Sequence, residues 1–236
     1  MENHKQQPWH SMPLEEIYRE YQTSEEGLRD AEAAKRLTDY GKNELRQSPP
    51  KSIGKMFLEQ LTDVMVLILL GAAALSGLLN EWIEAIVILT IVVVNAVIGV
   101  VQEKKATDAL AALRSLSSPQ ARVLRNGEES IVPASELVPG DIVYLEDGSV
   151  VPADMRLIDS TNLKIQEASL TGESVPVEKE AEMLVSAEAP LGDRLNMAYT
   201  SSIVMYGNGT GVVVGTGMHT EIGQIAGALD TQDETD

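Results

Sequence analysis

Two uncharged apolar runs lie back to back in this chain, Val64–Asn80 and Ala85–Gln102, of about 17 and about 18 residues. A bilayer core takes about 20 helical residues to cross, so the pair predicts a transmembrane hairpin. The first run gathers Gly71, Ala72, Ala73, Ala74, Ser76 and Gly77, small residues that let membrane helices approach closely. The second is rich in Ile and Val. Glu81, Trp82, Ile83 and Glu84 form a tight acidic turn between them, with Trp82 where an interfacial aromatic belongs. Lys51 and Lys55 precede the first run, and Lys104, Lys105 and Arg114 follow the second. The turn has no basic residue, so the positive-inside rule puts both outer ends in the cytoplasm. The alternative is a pair of buried core helices in a soluble protein. Asn95 is the strongly polar residue in mid-run; it is expected to bond between helices, with an ion-path role as the alternative.

The flanking sequence changes period twice. Pro13–Tyr21 reads as a short helix with Leu14, Ile17, Tyr18 and Tyr21 on one face. Thr23 or Ser24 reads as the N-cap of a second helix that opens on Glu25 and Glu26. Leu28, Ala31, Ala34 and Leu37 form its stripe, and Gly41 closes it. Ser48–Ser52 reads as a linker. Beyond the second apolar run, Ala106, Leu110, Leu113 and Leu116 continue a helical stripe as a stalk that Pro119 ends. From Ala121 the pattern is short strands and turns: Arg122–Arg125, an Asn126-Gly127 hairpin turn, Ile131-Val132, Ile142–Leu145, Val150-Val151, Met155–Ile158, Leu163–Ile165, Val175–Val177 and Thr210–Val214. That spacing predicts a compact all-β barrel or sandwich. Thr220 caps a last helix through Ile222, Ile225 and Leu229, followed by an acidic tail.

Charge narrows the function. With 18 basic and 36 acidic residues the net charge is −18, which disfavours nucleic-acid binding, since that needs positive surface to displace counterions. The absence of cysteine excludes disulfides, thiolate metal sites and cysteine nucleophiles. His4, His10 and His219 are too few and too scattered for a His-based zinc centre.

The residues that carry chemistry are Thr171, Gly172, Glu173 and Ser174, about seventy residues past the second run. A glutamate can take a proton from a water or hold that water for attack. Gly172 lets the backbone approach another surface, and the hydroxyls of Thr171 and Ser174 can donate to phosphate-like oxygens. The set is incomplete. No phosphate-cradling loop of the form GxxxxGK followed by Ser or Thr is present, nor a clustered Asp pair for Mg2+. On its own the tetrapeptide reads as ordinary turn chemistry.

Several spaced stretches change that reading. They are Glu32-Ala33 with Arg36-Leu37 and Tyr40–Asn43, Asn95–Glu103, Leu137–Val143, Val151–Asp154, Ser169–Pro176 and Thr220–Gly223. In this order they resemble the amino-terminal portion of P-type cation-transporting ATPases, nearest the calcium-pump branch, with sodium or mixed-cation pumps as alternatives. The resemblance implies an α+β membrane protein: an all-β, distorted jelly-roll-like actuator domain with N-terminal helices, plus a two-helix transmembrane hairpin. It divides the chain into residues 1–50 (N-terminal part of the actuator), 51–62 (linker or stalk), 63–80 and 83–102 (transmembrane helices), 103–117 (stalk), 118–229 (β-rich actuator) and 230–236 (acidic linker).

The same resemblance implies that the TGES loop docks on a phosphorylated aspartate and that Glu173 positions the hydrolytic water. The DKTGT phosphorylation motif of the family is absent. The chain therefore reads as a fragment or truncated product of a pump, inactive alone. Its expected partners are the lipid bilayer, the pump's phosphorylation and nucleotide-binding domains and the transported cation. ATP and Mg2+ would serve the full pump, with no cofactor or metal held here. The implied location is a bacterial plasma membrane, with both termini and the actuator domain cytoplasmic. A non-enzymatic membrane-anchored β-domain that regulates a partner pump is the competing reading.

Overall fold

A computed structural model describes residues 7–46, 52–116 and 119–233. Most of the expected linker, residues 48–51, lies outside them. The chain forms two compact units, Met1–Arg46 with Pro119–Asp236, and Gln47–Ser118.

The first unit is an antiparallel β-sheet domain with N-terminal helices. Helix α1 (Leu14–Glu20) lies within the expected span, and its Ile17 is fully buried. Helix α2 (Asp30–Tyr40) starts later than Thr23 and Ser24 suggest. Thr23 instead donates its hydroxyl to the Gly140 carbonyl (2.8 Å), and Leu28 bridges to Arg125 of the sheet. At Gly27 a Cβ would stand 1.9 Å from the Leu124 carbonyl oxygen, so the chain is pressed flat here and cannot coil. The inner face of α2 is accordingly Ala33, Arg36 and Leu37 rather than a stripe beginning at Leu28. Gly41 does terminate it, donating to the Leu37 carbonyl (3.1 Å).

The strands are β1 (Gln120–Arg125), β2 (Glu128–Pro133), β3 (Ile142–Leu145), β4 (Asp154–Gln166), β5 (Val177–Glu178), β6 (Met197–Ala198) and β7 (Ile203–Gly215). Their order in the sheet is β2-β1-β3-β7-β4-β5, with β6 also on β4. The Asn126-Gly127 turn joins β1 to β2, pairing Arg125 with Glu128. Two expected strands, Met155–Ile158 and Leu163–Ile165, are one. The polar stretch between them is carried through by register shifts, and Asn162 takes a positive φ of 50°. Val150-Val151 is not a strand; Val150 makes an isolated bridge to Ile203. Alternation assigns the two faces of the sheet. Val143 and Val213 join Val123, Met155, Leu157, Leu163 and Ile165 in one core, while Ile142, Val212 and Val214 pack with Ile17, Met197 and Tyr199.

Two buried carboxylates lock this unit. Asp141, fully buried, receives both Nε (2.9 Å) and Nη2 (2.7 Å) of Arg125 and the Val138 N–H (3.0 Å). Asp154 accepts from the N–H groups of Thr200 (2.8 Å) and Glu221 (2.7 Å). The latter opens the last helix, α7 (Glu221–Asp233), which Thr220 also caps through the Gly223 N–H (3.0 Å). That helix runs into the expected acidic tail.

In the second unit, α3 (Ile53–Leu61), α4 (Val64–Leu78) and α5 (Trp82–Leu116) pack together. Ser52 caps α3 and Asp63 caps α4. Among the described residues α5 is the one helix that alone is long and apolar enough to cross a bilayer, within Trp82–Leu110, where an 18-residue window has mean hydropathy 2.6. The first apolar run is shorter than a span, and α3 and α4 reach that length only as a pair bent by 66°. The tight turn is Leu79–Glu81, and Trp82 begins α5. Ala85, Val92, Ala96 and Val100 are buried, whereas Ile86, Val93, Val94, Val97, Ile98 and Val101 are exposed. At Gly99 the end of the Gln60 side chain of α3 lies where a Cβ would stand, 2.7 Å from Oε1. Asn95 is exposed and makes no interhelical bond among the described residues.

Two outcomes follow for the sheet unit. Asp141→Ala leaves the Arg125 guanidinium unpaired and lowers unfolding free energy by about 3–5 kcal/mol, read by denaturant titration. Burial pushes the Asp154 carboxyl up to about 7, against the pull of its two N–H donors. A carboxyl raised above its unfolded value stabilises the fold at low pH and loses that contribution as pH rises through about 7. Melts followed by β-sheet circular dichroism therefore show stability falling from pH 5 to pH 8, and Asp154→Asn flattens that slope.

Candidate active-site loop

Residues 167–176 leave the end of β4 and return as β5. The bases of the excursion are tied by the pairs Ile165↔Val177 and Lys164↔Glu178, and by the Lys179 N–H on the Leu163 carbonyl (2.8 Å). Between them the chain makes a single helical turn, α6 (Ala168–Thr171). The Glu167 carbonyl organises it, accepting from Leu170 N (2.9 Å), Thr171 N (3.0 Å) and Thr171 Oγ1 (3.1 Å).

Gly172 then takes φ 77° and ψ −3° and donates to the Ala168 carbonyl (3.0 Å). Its Cβ would meet nothing within 4 Å, so left-handed backbone, not lack of space within this chain, demands glycine. Glu173 follows. Its N–H donates to Thr171 Oγ1 (3.3 Å), so the Thr171 hydroxyl serves the turn as both donor and acceptor. The Ser174 carbonyl accepts from Gln166 Nε2 (3.1 Å). Thr171 is half-buried, while Gly172, Glu173, Ser174 and Val175 are exposed. The four residues singled out in the sequence therefore share one surface turn with a fixed backbone and an exposed glutamate.

Two residues of the site escaped notice in the sequence. Glu167 and Lys179 stand at the neck of the loop with Oε1 and Nζ 2.7 Å apart, and neither side chain has any exposure. Burial raises the Glu167 pKa and lowers that of Lys179, each opposed by its partner's charge. Lys179 Nζ also lies 5.9 Å from the centre of the Tyr199 ring. Period-2 spacing held the signal: Leu163 and Ile165 are core residues of β4, and Glu167, just past its end, is the next residue in that alternation.

Among the described residues no three His, Cys, Asp or Glu side chains cluster to hold a metal, and the phosphate-loop pattern is absent from the sequence. His10 is buried with Nε2 3.2 Å from the Ala187 carbonyl.

Comparison with known proteins agrees with this anatomy. Residues 115–230 match the family model of the P-type ATPase actuator domain, and residues 9–76 match the cation transporter/ATPase N-terminus. Calcium-transporting ATPase 1 of Bacillus cereus is 44% identical over 231 residues, 96% of this chain and 26% of the relative. The calcium-transporting ATPase of Bacillus subtilis is 43% identical over 224 residues, 94% of this chain and 25% of the relative. The sodium/potassium exporting P-type ATPase cta3 of Schizosaccharomyces pombe is 42% identical over 225 residues, 94% of this chain and 22% of the relative. The chain thus spans about a quarter of the length of these curated relatives. It belongs to the P-type cation-transporting ATPases, carrying their N-terminal region and actuator domain.

Proposed function

We propose that these residues are the dephosphorylating arm of an ATP-driven cation pump. The carrying observation is the exposed Glu173 carboxylate on a turn whose backbone is pinned on both sides. In this reading the turn docks against an aspartyl phosphate held by a domain outside residues 1–236. Glu173 holds a water in line and takes its proton as the water oxygen attacks phosphorus. The bond from phosphorus to the aspartyl oxygen breaks, leaving the aspartate carboxylate and inorganic phosphate. Gly172 and Ser174, exposed beside Glu173, form the contact face, and Thr171 holds the carboxylate's backbone. ATP and Mg2+ act in the phosphorylating domain, and residues 1–236 alone neither form the phosphoenzyme nor transport.

Calcium is the proposed cargo, from the printed names of the Bacillus relatives; the fission-yeast relative makes sodium the alternative. The α3–α4 pair and α5 are proposed to form a two-helix membrane hairpin. The sheet domain, taken as a distorted jelly roll, then lies in the cytoplasm with both chain ends, and the hairpin in a bacterial plasma membrane. The exposed Ile and Val side chains of α5 support this, since in water each would forgo about 1.5–3 kcal/mol of burial.

In the complete pump, Glu173→Gln keeps the shape and removes the base. Phosphoenzyme forms from ATP and then decays about 10²–10⁴-fold more slowly; decay at the wild-type rate overturns the role. The topology has its own test, since the chain lacks cysteine. In sealed membranes, an impermeant maleimide labels Glu128→Cys from the cytoplasmic side and Glu81→Cys from the opposite side. Labelling of both from one side rejects the hairpin.

A further inference from the structure

An acid and a base face each other at the neck of the Thr171–Ser174 loop where no solvent reaches them, Glu167 and Lys179 at 2.7 Å. Burying a carboxylate and an ammonium is unfavourable, and well-packed apolar residues of similar volume commonly serve stability as well or better. Stability alone therefore does not account for the pair. An ion pair at contact distance ties two particular groups to each other, which interchangeable apolar contacts do not.

What it orients is legible in the bonds around it. Lys179 comes in on the returning arm, its N–H on the Leu163 carbonyl four residues before Glu167. The two side chains therefore reach toward each other through the interior, joining the incoming and outgoing arms. Glu167 is also the residue whose carbonyl accepts three bonds from α6, two of them from Thr171. Thr171 Oγ1 in turn accepts the Glu173 N–H. The ion pair holds the Glu167 side chain to Lys179, and hydrogen bonds then run from the Glu167 carbonyl through Thr171 to the backbone of Glu173. Without the ion pair, Glu167 is free to turn its carbonyl away, and the turn loses the acceptor that closes it.

We propose that the buried Glu167–Lys179 ion pair is a positioning device that aims Glu173 at the phosphoryl group, and that it is retained for that aim rather than for fold stability. Glu167 and Lys179 are positioning residues; neither touches the reacting atoms. This role rests on Glu173 being the residue that orients the attacking water.

The test uses the complete pump and four variants. Lys179→Met and Glu167→Gln each leave phosphoenzyme formation from ATP unchanged and slow its decay about 10–100-fold, the scale of a small misplacement of a catalytic group. The exchanged pair Glu167→Lys/Lys179→Glu recovers most of the decay rate. The apolar pair Glu167→Met/Lys179→Met recovers the melting temperature and stays slow. Wild-type decay in the single variants, or in the apolar pair, overturns the proposal. If the single variants do not fold, the two double variants decide it. Where Glu173→Gln itself decays normally, the reading of Glu173 fails instead. The pair is then tested by amide hydrogen exchange in the 236-residue chain in detergent. Lys179→Met speeds exchange at Thr171 and Glu173 about tenfold or more, leaves Met155–Leu157 and Val212–Val214 unchanged, and equal rates throughout overturn it.

Discussion

The pairing of β4 with β7 is the constraint on which the sheet domain depends. Both strands are 13 residues long, about 40 Å if extended, and they run side by side from Asp154↔Gly215 to Gln166↔Ile203. Everything with a function to perform is hung from the ends of β4. At one end the Asp154 carboxylate holds Thr200 and the first N–H of α7. At the other end Gln166 reaches the Ser174 carbonyl and Glu167 holds the turn that carries Glu173. The ladder continues through its register shifts, so the start of α7 and the loop at the other end are both fixed to the same strand.

The stretches that carried the family resemblance are explained largely by this scaffold. Arg36 of α2 donates Nη1 to the Pro139 carbonyl (2.8 Å) while its Nε holds Glu32 (2.9 Å). Asn43 donates to the carbonyls of Ala134 (2.9 Å) and Pro152 (2.8 Å) and accepts the Gly217 N–H (2.8 Å). Asp141 and Asp154 are buried acids with backbone partners. These side chains stitch the N-terminal helices to the sheet. The loop motif at Thr171–Ser174 differs from them, because its carboxylate is left exposed.

How much was legible beforehand depended on whether local chemistry or distant pairing decided the element. Asn126-Gly127 is local, and its hairpin appears where the dipeptide announced it. The helical stripe past Gln102 is likewise local, and α5 runs unbroken to Leu116. The strand β4 is not local. Asp159–Asn162 reads as a break in the sequence, yet β7 lies alongside and carries the ladder through it with shifted register. The later start of α2 has the same origin, since its competitor was the Leu124 carbonyl, distant in sequence. The apolar runs exposed a different limit. Their hydropathy was clear, but the 66° bend before α4 comes from Asp63, which caps a new helix by accepting the Met65 N–H (2.9 Å). At the loop, the tetrapeptide was visible because it is contiguous, and the Glu167–Lys179 pair was not, because charge in a sequence reads as solvated surface.

The stretch between β5 and β6 shows why buried charge and amide groups are needed here at all. Lys179 to Asn196 has almost no regular structure apart from a short 3-10 turn at Leu191–Asp193. Its backbone groups cannot rely on a ladder, and a buried one without a partner is costly. Side chains supply the partners. Arg156, buried in β4, donates Nη1 to the carbonyls of Leu157 (2.6 Å) and Ala181 (2.9 Å). Asn196 donates to those of Met183 (2.6 Å) and His10 (2.8 Å). Lys179 closes the series on Glu167. The chain that follows the Thr171–Ser174 loop is thus fastened by long polar side chains reaching out of the sheet and its border. Such fastenings hold an irregular path to one conformation point by point, and that path begins at Lys179, the residue on which the turn bearing Glu173 returns to the sheet.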